Sequence, residues 1–367
     1  HSLTDLELLM QRRGRHALTD TTVNPAITDR EYQQRAITAM CETYDGNRRS
    51  ALSVMATGTG KTRFSIALVE ILSRNDWIKT MLFLADRTTL VNQAKRNFEK
   101  YLPDMSVCEL SGNDKKKDLN ARLMFSTYQT MINYIDAEEK IFSTGRFDLI
   151  IIDEAHRSIF NRYGTIFKYY DSLLLGLTAT PKNEVDANTY DIFGCDTGIP
   201  TFDYSMEEAI QSKFLVGYKV INKTSKLMTV GVKYEDLSEE EKEQLEEYID
   251  EIDPPTPDFT VKNNEFFKHL FNEETCKKVI TDLMNEGLRV DGGETIGKTI
   301  IFAFNHHHAK MIVDCFYDLY PKASEKMCQL VDNYVNYADD LVIQFEENPE
   351  FRIAVSVDML EIGRAHV

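Results

Sequence analysis

The sequence predicts an α/β protein of two lobes, each organised around a parallel sheet. Three observations carry that prediction. Short apolar runs rich in Val, Ile, Leu and Phe recur between longer amphipathic stretches, and runs of that length suit strands covered by helices on both faces. The set begins again after an acidic, proline-bearing stretch. At 367 residues the chain also exceeds one ordinary domain.

The elements follow in order. An amphipathic helix is predicted over 31–44, a strand over 52–56 (LSVMA), and a helix over 61–74. Strand 80–85 (TMLFLA) leads into helix 87–100, and three more strands follow at 123–127 (LMFST), 148–153 (DLIIID) and 174–178 (LLGLT). This alternation is the pattern of a doubly wound lobe. Residues 253–258 (DPPTPD) carry three prolines and read as a connection. A second set starts with strand 299–304 (TIIFAF), a helix from Asn305, and strand 352–357 (RIAVSV).

Composition bounds the function without naming it. Hydrophobic content of 43% and charged content of 28% are those of a globular chain. No run approaches the roughly 18 apolar residues of a membrane span, and the first residues lack the apolar core of a signal peptide. His1 in place of a start Met reads as an internal cut. Six scattered cysteines (Cys41, Cys108, Cys195, Cys276, Cys315, Cys328), with no CxxC pair, indicate reduced thiols in the cytoplasm rather than a disulfide scaffold or zinc site. The net charge of −17 at first opposes nucleic-acid binding. Residues 234–253, however, hold eleven acidic side chains and one lysine, which leaves −7 for the rest. A protein that grips phosphates needs one local basic track, so net charge decides little here.

The phosphate-loop pattern GxxxxGK[ST] occurs literally once, at 292–299 (GGETIGKT). Phosphate binding needs a strand before the loop and a helix after it, so that backbone N–H groups and the helix start face the anion. Here a polar turn precedes and a strand follows, so the segment reads as a turn. Residues 55–62 (MATGTGKT) break the pattern at Met55 but have the right context. In that loop Thr57, Gly58, Thr59 and Gly60 are the candidates to wrap phosphates, Lys61 to pair with the β- and γ-phosphates, and the Thr62 hydroxyl to hold Mg²⁺. A plain glycine turn is the alternative for the loop taken alone.

Asp153 and Glu154 follow the strand DLIII at the edge where such sheets place ligands. Asp153 is the candidate for Mg²⁺ through its water shell, and Glu154 for orienting and deprotonating the attacking water. His156 falls near the γ-phosphate and is the candidate for sensing its loss. The triple His306–His308 follows Asn305, a candidate N-cap; consecutive helical positions point about 100° apart and cannot chelate one ion.

In order, the chain reads YQQRAI (32–37), MATGTGKT (55–62), LFLADRTTLVNQA (82–94), STYQTM (126–131), IIIDEAHRS (150–158), GLTATP (176–181), YSMEEAI (204–210), KTIIFAFNHHHAKMI (298–312) and IAVSVDML (353–360). This series resembles the superfamily 2 helicases and translocases. DEAHRS, the ADR…LVNQA segment and YSMEEAI followed by FLV (214–216) point within them to the R subunits of type I restriction enzymes. The resemblance implies two RecA-like lobes with parallel sheets, the second truncated. Residues 1–28 then form a linker from an upstream nuclease domain, and 29–204 the ATP-binding lobe. Residues 205–264 form a connecting segment with the acidic insertion, and 265–367 a partial second lobe.

The resemblance further implies a DNA-dependent ATPase that translocates double-stranded DNA. ATP and Mg²⁺ are its cofactors, and methyltransferase and specificity subunits its partners, with no membrane. Gln33 is implied to read the adenine edge with Arg30 nearby; a solvated position on an amphipathic helix is the alternative for Gln33. Thr178 and Thr180 are implied to couple ATP state to movement. Arg87, Gln93, Thr127 and Gln129 are implied to contact the DNA backbone. The family pattern continues beyond VDML with Thr-Gly-Ile-Asp and a later arginine motif, whereas this chain reads EIGRAHV; Arg364 comes too soon to be the arginine finger. Two alternatives stand beside this reading: a superfamily 2 helicase of another branch, and an ATP-binding module without turnover.

Overall fold

The strand positions alternate between two cores, and that alternation is what builds the first unit. In the computed structural model the described residues are 15–19, 21–110, 118–136, 141–155, 157–180, 182, 185, 187–221, 273–332 and 338–357. The acidic segment 234–253, His156 and residues 358–367 lie outside them. The chain divides into two compact units, His1–Gly217 and Tyr218–Val367.

The first unit holds β1 (Ser50–Met55), β2 (Met81–Ala85), β3 (Val107–Glu109), β4 (Leu123–Thr127), β5 (Leu149–Ile152), β6 (Leu173–Thr178) and β7 (Phe202–Tyr204). They form one parallel sheet in the order β3-β4-β2-β5-β6-β1-β7. Met81, Phe83, Leu123, Phe125, Leu149 and Ile151 face one core; Leu82, Leu84, Met124, Ile150 and Ile152 face the other. Side chains of a strand alternate faces, so a run that is apolar throughout must be covered twice.

Three helices cover the first face: α1 (Glu31–Asp45), α2 (Lys61–Arg74) and α3 (Thr88–Tyr101), through Tyr32, Phe64, Phe98 and their neighbours. Helices α4 (Tyr128–Asp136), α5 (Arg157–Tyr169) and α6 (Ala187–Ile192) cover the second, through residues such as Met131, Ile166 and Tyr190. Each fully buried large side chain contributes about 1.5–3 kcal/mol. The unit runs past the expected 204/205 boundary because α7 (Met206–Gln211) packs Ala209 into the first core, with Leu215 against it. Ser205 starts α7 with a capping box: its side chain accepts from Glu208 N at 3.1 Å, and the Glu208 carboxylate accepts from Ser205 N.

The second unit contains α8 (Glu273–Glu286), β8 (Arg289–Val290), β9 (Thr295–Ile296), β10 (Thr299–Phe302), α9 (His306–Leu319), β11 (Cys328–Val331), α10 (Ala338–Glu347) and β12 (Ile353–Ser356). Its parallel sheet has the order β10-β12-β11. Ile353 and Val355 face α8 and α9, whereas Ala354 faces the cluster holding Phe345 of α10. The literal phosphate-loop match is a hairpin: β8 and β9 pair antiparallel around Gly292 and Gly293, whose φ values are +73° and +101°. Its lysine, Lys298, donates to the carbonyls of Phe345 and Asn348 at the end of α10, as expected of a cation at a helix C-terminus.

The Asn305 side chain caps α9, accepting from His308 N at 2.9 Å. The three histidines separate as their spacing requires. His306 Nδ1 pairs with the buried carboxylate of Asp332 at 2.5 Å, and His308 is buried. All six cysteines are free thiols; burial pushes Cys41 and Cys328 up to about 12, so they stay protonated at neutral pH. Among the described residues no helix is long and apolar enough to cross a membrane.

Candidate nucleotide site

The strands of the first sheet run parallel, so their carboxyl ends collect at one edge, and the sequence motifs sit there. The 55–62 loop follows β1, Arg87 follows β2, Thr127 ends β4, Asp153 and Glu154 follow β5, and Thr178 ends β6. Ligands of open α/β sheets bind at this edge.

The loop is held by its own backbone. Thr59 Oγ1 donates to Ala56 O at 2.6 Å, and Ala56 N donates to Tyr204 O at 3.0 Å. Gly58 and Gly60 have φ of +80° and +83°, in the left-handed region. A Cβ on Gly60 would lie 2.6 Å from Gln33 Nε2 and would push that amide away from the loop. Met55, which breaks the literal pattern, is fully buried in the first core. Helix α2 begins at Lys61 with Gly60 as N-cap, no side-chain cap and no acidic residue in its first turn. An uncapped helix start offers backbone N–H groups and a partial positive charge to an anion.

Lys61 Nζ lies 3.9 Å from Glu154 Oε1. Glu154 adopts φ +53°, unusual for a residue with a side chain. The backbone around it is pinned: Asp153 N donates to Leu84 O at 2.9 Å, Ala155 N to Leu177 O at 2.8 Å, and the Tyr128 hydroxyl to Asp153 O at 2.6 Å. A partly exposed ion pair contributes at most about 1 kcal/mol. A strained backbone costs about 1–3 kcal/mol. The pair therefore does not offset that strain. Burial, first, and the neighbouring Asp153, Asp86 and Glu154 hold the Tyr128 hydroxyl well above its usual range, so it remains a donor.

Gln33 is fully buried rather than solvated. Its Nε2 donates to Thr59 O at 2.9 Å and to Gly60 O at 3.1 Å, and its Oε1 accepts from Thr28 Oγ1. Both amide donors are thus engaged with the loop backbone. The Arg30 guanidinium reaches the Tyr32 hydroxyl at 2.9 Å. Thr178 is buried, and its Oγ1 accepts from Thr180 N at 3.1 Å, closing the turn after β6. Thr57 and Thr62 are partly exposed on the loop and the helix start.

Of the residues implied for nucleic acid, Gln93 and Gln129 are exposed and Arg87 and Thr127 partly so. Arg87 is the N-cap residue of α3; Thr127 Oγ1 bonds Thr130, and Gln129 Oε1 accepts from the Tyr163 hydroxyl at 3.4 Å. Residues that sequence reasoning passed over are Tyr32, Tyr128, Tyr204 and Phe214. Tyr32 carried a signal, since it lies on the apolar stripe of α1 with Ala36, Ile37, Met40 and Tyr44.

Among the described residues no group of three or more His, Cys, Asp or Glu could hold a metal ion alone. A hydroxyl and a single carboxylate, Thr62 and Asp153, fit Mg²⁺, which takes few protein ligands and keeps its water and phosphate oxygens.

The fold defines a RecA-like α/β lobe with its candidate residues at this edge. Comparison with known proteins narrows the class. Residues 26–183 match the ResIII family, described as type III restriction enzyme, res subunit. The endonuclease subunit of the type I restriction enzyme EcoKI of Escherichia coli (strain K12) is 25% identical over 382 residues, covering 93% of this chain and 31% of that subunit. The EcoAI endonuclease subunit of Escherichia coli is 36% identical over 200 residues, covering 52% of this chain and 24% of that subunit. A solved fragment assigned as an HsdR subunit of a type I restriction enzyme from Vibrio vulnificus YJ016 shares the fold, with a TM-score of 0.59 and 22% identity over 97% of this chain and 57% of that one. The chain is similar to these endonuclease subunits, and it spans less than a third of the length of the two curated relatives.

Proposed function

We propose that this chain is the ATP-dependent double-stranded DNA translocase motor of a type I restriction-modification complex. The observation that carries the proposal is the placement of Lys61, at an uncapped helix start, opposite the strained carboxylate of Glu154. In this reading the loop Thr57–Thr62 wraps the phosphates and Lys61 pairs with the β- and γ-phosphates. Glu154 orients the attacking water and takes its proton. Thr62 and Asp153 would hold Mg²⁺, which would supply positive charge to the phosphate oxygens. Gln33 and Arg30 belong to the adenine end, His156, Thr178 and Thr180 couple ATP state to movement, and Arg87, Gln93, Thr127 and Gln129 meet the DNA backbone. The partners are duplex DNA and the methyltransferase and specificity subunits, in the cytoplasm.

The test is phosphate release with duplex DNA, single-stranded DNA and RNA compared, with and without the partner subunits, against Lys61→Ala as the blank. Stimulation by duplex DNA that needs the partners and vanishes in the blank supports the motor. Stimulation by RNA or single strands alone moves the assignment to another helicase branch. Nucleotide binding without release under any condition leaves a binding module.

A further inference from the structure

The amino ends of the strands in the first sheet collect at the edge opposite the candidate nucleotide site, and a cavity of about 190 Å³ opens there. Strand β1 is six residues long, so this edge lies roughly 20 Å from the 55–62 loop. Arg48 and Arg49 stand immediately before β1, Asp148 immediately before β5, and Asp171 two residues before β6. Arg15 comes from the segment that precedes α1, and Trp77 from the turn between α2 and β2. None of these residues has a part in the nucleotide reading.

The Trp77 ring is buried, and its Nε1 donates to His16 O at 2.8 Å. The Arg15 guanidinium lies over that ring, 4.4 Å from its centre, which holds the cation in place at the cavity wall. Arg49 pairs with Asp171. The Asp148 carboxylate is buried and accepts from Lys79 N at 2.7 Å, Thr80 N at 3.0 Å and Thr80 Oγ1 at 3.1 Å, so its charge is already met by donors. Arg48 is exposed, and its guanidinium has no hydrogen-bond or ion-pair partner among the described residues. Beside it Asn47, with a left-handed backbone at φ +64°, adds an amide donor to the rim. Three guanidinium groups thus line one cavity, and Asp171 is the one lining carboxylate left to balance them.

A guanidinium presents its donors in a planar fork that fits two oxygens of one oxyanion. The volume is below the roughly 300 Å³ at which sites for drug-sized ligands begin, so the cavity suits a small ligand. A backbone phosphodiester carries one negative charge, whereas a phosphate monoester carries about 1.5 to 2 at neutral pH. Surplus positive charge in a small space therefore favours the monoester.

We propose that this cavity is a second anion site, separate from the 55–62 loop, which takes the dianionic phosphate group of a small monoester or of inorganic phosphate. Arg15 and Arg48 are its principal donors, with Arg49 held at its side by Asp171.

Trp77 is the single tryptophan of the chain, so its fluorescence reports on this cavity. The test titrates inorganic phosphate and ribose 5-phosphate into the Lys61→Ala chain, which silences the phosphate loop, with potassium chloride at matched ionic strength as the blank. Calorimetry measures the same affinities without the fluorophore. A saturable change with the phosphates and none with chloride is expected. Arg48→Ala, at an exposed position, is expected to weaken binding roughly 10- to 100-fold, and Arg48→Lys less. Arg15→Ala is expected to weaken it by a similar factor in calorimetry. A response that chloride reproduces, or affinities unchanged in both arginine-to-alanine variants, overturns the site. A short duplex DNA without terminal phosphates is the last arm: if it binds as well as ribose 5-phosphate, the cavity is a backbone contact and the monoester assignment falls.

Discussion

Lys61 and Glu154 come within 3.9 Å although β6 lies between the strands that deliver them. Lys61 opens the helix after β1, and Glu154 leaves the end of β5 with a left-handed backbone. That backbone turns the carboxylate across the edge of β6 toward the phosphate loop. Under the proposed function this sets the general-base candidate beside the phosphate-binding candidate.

Substitutions at the two residues should therefore differ in kind. Lys61→Ala should abolish nucleotide binding and phosphate release together. Glu154→Gln should keep binding and lower the rate of phosphate release about 10²- to 10⁴-fold. Titration of nucleotide alongside single-turnover kinetics checks both; a Glu154→Gln chain that still turns over at the parent rate would refute the general-base role.

Gly60→Ala places a Cβ 2.6 Å from the Gln33 amide at a backbone φ of +83°. It should destabilise the first unit and cut nucleotide affinity. Gln33→Ala removes one of two donors from each of the Thr59 and Gly60 carbonyls, which keep the Tyr32 hydroxyl and Phe64 N, and should cost about 0.5–1.5 kcal/mol for each bond lost. Denaturant titrations of both variants, followed by Trp77 fluorescence in the first unit, provide the readout.

Lys298, the lysine of the literal phosphate-loop pattern, should behave oppositely to Lys61. Lys298→Ala removes a cation from the carbonyls at the end of α10 and should destabilise the second unit by about 1–2 kcal/mol. ATP affinity should not change. Paired melting curves and nucleotide titrations distinguish the two lysines.

His308 should make the second unit sensitive to acid. Burial pushes its imidazole below the usual value of about 6.5. Its Nδ1 accepts from Phe304 N at 3.2 Å, which only the neutral ring can do. The unfolded chain takes up this proton first, so the contribution to stability is full above about 6.5 and is lost as pH falls through the lower folded value. Thermal melts between pH 8 and 5 should fall more steeply for the parent than for His308→Leu. Parallel slopes would count against a role for His308.

The sheet was legible because its central strands are buried on both faces, and double burial writes an unbroken apolar run into the chain. The runs at 80–85, 123–127 and 148–153 therefore found β2, β4 and β5 to within a residue or so. Strands β3, β7 and β11 were not foreseen: they are only three or four residues long, lie at sheet edges and alternate partly exposed positions. Short edge strands carry little pattern, and backbone pairing with a neighbour decides that they form.

The candidate site divides along the same line. Glycines before a lysine at a strand-to-helix junction, and two carboxylates after an apolar strand, are local patterns. The sequence by itself therefore marked the 55–62 loop and the acidic pair as candidates and read 292–299 as a turn rather than a phosphate loop. Only the tertiary structure decided that Gln33 clasps the loop and that Lys298 caps a helix. The same holds for the gathering of Tyr32, Tyr204 and Phe214 into one corner. Those outcomes depend on which elements stand side by side, and contacts between residues 26 (Gln33–Thr59) or 50 (Lys298–Asn348) positions apart and more leave no periodicity along the chain to be read.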